Sequence, residues 1–76
     1  MNNIRRKKLA ELYREIEELK YLLEEVAEEE QEAFDNIPEN LEGSERYERA
    51  EEAVDNLESA VNAIEEALEY IEQAQE

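Results

Sequence analysis

From Tyr47 onward, apolar residues recur at alternating intervals of three and four, through Ala50, Val54, Leu57, Val61, Ile64, Leu68 and Ile71. This spacing keeps one stripe on a single helical face and defines a heptad with apolar a and d positions. A second row, Ala53, Ala60, Ala67 and Ala74, repeats every seven residues at the g positions beside the first. A two-stranded coil requires only a and d. The widened stripe therefore predicts a helix with more than one neighbour, the small alanines allowing close approach by the second.

The first half carries the same design less cleanly. Leu9, Leu12, Ile16, Leu19, Leu23 and Val26 keep the alternation, Glu30 falls on the next a position, and Ala33 resumes at d. Tyr13, Ala27 and Phe34 stand at e and Leu22 at g, so the face broadens and rotates past Glu30, as a straight helix of 3.6 residues per turn makes it do. Glu30 is expected at the edge of the face, in water, the alternative being a buried acid with a metal or specificity role.

Between the halves lies the only punctuation, Asp35-Asn36-Ile37-Pro38-Glu39-Asn40-Leu41-Glu42-Gly43-Ser44. Pro38 cannot continue a helix and disfavours helical geometry at Ile37. Pro38 to Leu41 is expected to form one helical turn, Gly43 to supply a positive-φ exit, and Ser44 to cap the next helix. Tyr47 takes the place of the Glu that would complete a capping box. The pattern predicts an all-α chain in a single domain over 1–76: helix 1 over about 3–35, connector 36–43, helix 2 over about 44–74. Matched lengths and a short connection imply an antiparallel two-helix hairpin, coiled-coil-like. Two wide stripes cannot both be covered inside one hairpin. The expectation is therefore a C2 homodimer forming a four-helix bundle, with Leu22, Phe34, Ala53, Ala60, Ala67 and Ala74 at the oligomer interface.

Composition narrows the chemistry. The 76 residues include no His, Cys, Trp or Thr and only two serines, Ser44 and Ser59. No thiol nucleophile, zinc or haem ligand set, or neutral-pH acid/base pair is available, so no catalytic, cofactor-binding or metal residue is assigned and no enzyme is expected. Carboxylate-bridged di-iron sites need Glu-x-x-His, and the connector lacks the EF-hand pattern. High charge suggests disorder, but 41% hydrophobic residues in periodic array argue for folding. Met1 to Ala10 is basic but leads into Glu11 rather than an apolar core, so no signal peptide is expected, and no apolar run is long enough to span a membrane. A cytoplasmic address follows as the expectation.

Net charge is −16, from 8 basic and 24 acidic residues, and it is uneven. All but two of the basic side chains precede Tyr21; beyond them only Arg46 and Arg49 oppose twenty acids. Arg5, Arg6, Lys7 and Lys8 are expected to pair across the hairpin tip with Glu65, Glu66, Glu69 and Glu72, fixing the register; contact with nucleic acid or an anionic membrane is the weaker alternative, and no direct nucleic-acid binding is expected. Pairs Glu42–Arg46 and Glu45–Arg49 are expected on the second helix. DNA carries one charge per about 1.7 Å, or about 26 over 45 Å. The hairpin and its dimer bracket that density. Such a rod suits the basic cleft of a nucleic-acid enzyme, with Glu28, Glu29, Glu32, Glu45, Glu48 and Glu52 as the candidate partner-binding surface. Glu-rich outer positions are also the ordinary solvated face of a helix.

The stretch Phe34-Asp-Asn-Ile-Pro-Glu-Asn-Leu-Glu-Gly-Ser-Glu-Arg-Tyr47, with Ala53-Val-Asp-Asn-Leu57, resembles the connector of short acidic helical-hairpin proteins of bacteriophages and mobile elements. The resemblance covers about the middle third of the chain. It implies a phage or mobile-element origin, a setting in which small non-enzymatic proteins often inhibit host nucleic-acid machinery in the bacterial cytoplasm. The alternative is a structural or adaptor module that self-associates or docks on partner helices through its apolar stripe.

Overall fold

A computed structural model describes all 76 residues, and its two helices pack along their whole length. Helix α1 spans Asn3–Asp35 and helix α2 spans Glu45–Ala74, with a 3-10 turn at Glu39–Leu41 between them. The hairpin is a rod of 59 × 15 × 13 Å between Cα extremes. No helix is long and apolar enough to cross a membrane.

Local chemistry sets each boundary. Asn2 caps α1, its Oδ1 accepting from the Arg5 backbone N–H at 2.8 Å. At the other end the Ile37 N–H bonds to the Phe34 carbonyl, and Pro38 prevents further helix. The connector turn closes with the Leu41 N–H on the Pro38 carbonyl at 2.9 Å. Gly43 takes φ +81°, where a side chain would be strained. Ser44 then accepts the Tyr47 N–H at 3.2 Å through its hydroxyl and starts α2.

The α2 stripe packs as its spacing implies. Val54 and Leu68, 7% and 5% exposed, are the only buried residues, while Leu57, Val61, Ile64 and Ile71 are half-buried. Helix α1 departs from expectation. Its a residues Leu9, Ile16, Leu23 and Glu30 face α2, but they alternate with the e row, Tyr13, Lys20, Ala27 and Phe34. The d row points away: Leu12, Leu19 and Val26 are 48%, 61% and 50% exposed. Phe34 fixes this rotation at the connector end, its ring centroid 4.9 Å from that of Tyr47. The Lys20 side chain, 14% exposed, tolerates a seam position because its stem lies in the seam while its ammonium reaches Glu24 at 3.8 Å and Glu65 at 3.7 Å.

The tip is also corrected. Arg5, Arg6, Lys7 and Lys8 make no ion pair with the acids of α2; Glu65 is held by Lys20 instead. Arg6 joins the two ends through its Nε, which donates to the Gln75 carbonyl at 3.0 Å and satisfies the closing turn of α2. Of the two pairs expected early in α2, Arg49 bonds Glu45, whereas Glu42 and Arg46 remain apart.

Candidate interaction surfaces

Leu12, Leu19 and Val26 each stand one residue before a seam position of α1, namely Tyr13, Lys20 and Ala27. Ala53, Ala60 and Ala67 each stand one residue before Val54, Val61 and Leu68 on α2. An antiparallel pair is related by an approximate two-fold axis normal to its plane, and that operation keeps each flank on its own side. Both rows therefore share one broad side of the hairpin. Grooves confirm the sidedness: Ala33, the next of the leucine row, lines one together with Arg46 and Arg49. On the other side Glu24 and Glu28 share a groove with Glu58 and Asn62, and Ala10 and Arg14 share one with Glu72 and Gln75.

The first side is apolar along its middle. Leu22 and Tyr70, 57% and 62% exposed, extend the two rows outward, with Ala63 exposed beside them. Basic residues bound the patch, Arg5 and Lys8 towards the tip and Arg46 and Arg49 towards the connector. The second side carries residues four after the seam positions: Glu17, Glu24 and Gln31 on α1, and Glu51, Glu58, Glu65 and Glu72 on α2. Lys20 is the one cation paired within it. Near its tip the half-buried Tyr13 phenol is pushed above its ordinary pKa, first by desolvation and then by the Glu72 and Glu17 carboxylates.

The six acidic candidates are all exposed, and they encircle the connector end instead of forming one face. Glu28 and Glu48 lie on the carboxylate side, Glu29 on the apolar side, and Glu32, Glu45 and Glu52 on the outer edges. Glu48 and Glu52 do line one groove, with Glu51 and Asp55, that has no apolar wall. No group of three or more acids is arranged to hold a metal ion. Glu30 is half-buried in the groove that holds Arg46 and Arg49, without a direct ion pair to either.

Among the interface candidates, Leu22, Ala67 and Ala74 are exposed, Ala53 and Ala60 are half-buried, and Phe34 is engaged with Tyr47 inside the hairpin. Periodicity alone placed Leu12, Leu19 and Val26 in the seam and so missed the largest exposed row. The signal for the other choice was the e row, which shares every a position with the first. Comparison with protein-family models, curated proteins and solved structures finds no match to this chain.

Proposed function

We propose that this chain is a non-enzymatic helical association module whose apolar side docks against helices of a protein partner while its carboxylate side stays in water. One observation carries this reading: Leu12, Leu19, Leu22 and Val26 are aligned on one side and each about half exposed. Single exposed apolar residues are ordinary, whereas an aligned patch marks an interaction surface. Burying the remaining half of four such side chains is worth about 3–6 kcal/mol. That gain is open only to a partner with an apolar face of its own.

A second reading rests on the segregation of charge. With the leucines and alanines gathered on one side, the opposite side is a rod of carboxylates in which Lys20 is the one ion-paired cation and Arg14 the other positive charge near the tip. A phage-type inhibitor presenting that side, or the acidic ring at the connector, to the basic cleft of a nucleic-acid enzyme would use it.

A photo-cross-linking residue placed at Leu19 or at Glu58 separates the two. The association module should give protein adducts, another copy included, from Leu19, and these should persist in high salt. The acidic rod should give them from Glu58, with loss in salt and competition by duplex DNA. Adducts confined to Glu58 would overturn the first reading.

A further inference from the structure

We propose that the partner covering the apolar side is a second copy of this chain, set face to face about a two-fold axis that runs along the length of the hairpin. This rests on the association reading above and identifies its occupant. Such an axis lays α1 of each copy over α2 of the other, so the bulky row meets the alanine row. Register agrees: contacts Arg6 to Gln75 and Phe34 to Tyr47 both join residues whose numbers sum to 81, which fixes which residues lie level. Leu12 then falls opposite Ala67 and Tyr70 of the second copy, Leu19 opposite Ala60 and Ala63, and Val26 opposite Ala53. Large side chains enter the space left by small ones along the whole apolar stretch.

Charge agrees as well. Arg49 falls level with Glu32 of the second copy, with Glu29 one turn away, and Arg5 and Lys8 fall level with the closing turn of its α2, where the carbonyl end attracts cations. An axis running across the hairpin would instead set leucine on leucine and alanine on alanine. One pair of helices would be pushed apart while the other closed, and the seam would gape.

Size and need are both met. A side of 59 by 15 Å projects about 900 Å², so two copies would bury about 1,800 Å², within the range of stable interfaces. A lone hairpin buries only Val54 and Leu68, and neither completely. The four-helix arrangement supplies the interior it lacks.

Sedimentation equilibrium of the purified chain should give twice 9.0 kDa, and Leu19→Glu should weaken association by about a hundredfold or more. Because the chain has no cysteine, single Leu19→Cys and Ala63→Cys variants report the axis without burdening the fold. Mixed and oxidised, they should form the mixed disulfide in preference to either self-linked product, since level residues approach within bonding reach and diagonal ones do not. A mass of 9.0 kDa at every concentration would overturn the second copy, and Leu19 adducts to a different protein would then leave the association reading intact. Preferential self-linking of Leu19→Cys would overturn the lengthwise axis. A dimer indifferent to Leu19→Glu would overturn the apolar side as its seat.

Discussion

Truncating Leu19 and Leu68 to alanine asks the same chemistry of two environments. Leu68 is 5% exposed against α1, so Leu68→Ala removes packed methyl groups and leaves a cavity, a loss of about 3 kcal/mol per chain. Leu19 is 61% exposed within one hairpin, which leaves about two-fifths of it covered. In an isolated hairpin its truncation would cost about 1 kcal/mol or less. Covered by a second copy, the same truncation costs about 2 kcal/mol per chain; the interface share is about 1 kcal/mol per chain, or about 2 kcal/mol per dimer, roughly thirtyfold in dissociation constant. Urea unfolding followed by far-ultraviolet ellipticity at low and high protein concentration reads both effects. Leu68→Ala should lower stability at every concentration, while the Leu19→Ala deficit should shift the concentration dependence of the midpoint. A Leu19→Ala loss below about 0.5 kcal/mol, unaffected by concentration, would show that this row faces water. Equal losses at both sites in a monomer would refute the rotation of α1 on which the two-sided surface depends.

Three further outcomes follow from local features. Gly43→Ala meets no atom within 4 Å, so its cost is the strain of φ +81° alone, about 1 kcal/mol or a fall of about 5 °C in Tm by thermal melting. Tyr13 should ionise above the ordinary tyrosine value in an ultraviolet absorbance titration read as the difference from Tyr13→Phe. Its raised folded pKa favours the protonated phenol, so that contribution to stability is complete below pH about 10 and is lost as pH rises through the folded value; Tyr13→Phe should abolish that part of the alkaline loss. Added salt should raise Tm, because a net charge of −16 on one narrow rod repels itself; a Tm that fell steadily with salt would show attraction at Lys20 and Arg49 to dominate.

Helix α2 was legible because its a and d rows are its only bulky apolar rows and the flanking g row is uniformly alanine. Helix α1 offered two seams sharing Leu9, Ile16 and Leu23. Hydrophobicity favoured the d row, Leu12, Leu19 and Val26, over an e row containing Lys20, yet the e row carries the aromatic residues. Phe34 packs against Tyr47 where the chain turns, and a side chain as long as Lys20 reaches water from within the seam. Burial within one chain is thus a poor guide to rotation when a helix has apolar surplus for two neighbours. The connector was readable residue by residue, since Pro38 and Gly43 act through their own backbone chemistry and Ser44 through the hydroxyl that caps α2. The tip was not. Charge counts suggested ion pairs there, whereas Arg6 found a free carbonyl at a helix end, a partner that no tally of acidic side chains contains.

The Phe34–Tyr47 ring contact has a kinetic consequence. Those rings are thirteen positions apart, whereas Arg6 and Gln75 are separated by 69. Closing the shorter loop costs about 1.5 kcal/mol less in chain entropy, so the first lasting contact between the helices forms beside the connector and pairing proceeds outward like a zipper. Unfolding runs the other way. The tip, where both helices end, separates first, and amide protons should exchange fastest there and most slowly in the helical turns that flank the connector. A hairpin of this kind is a one-ended clasp, held shut where it bends and loosest where its two ends meet.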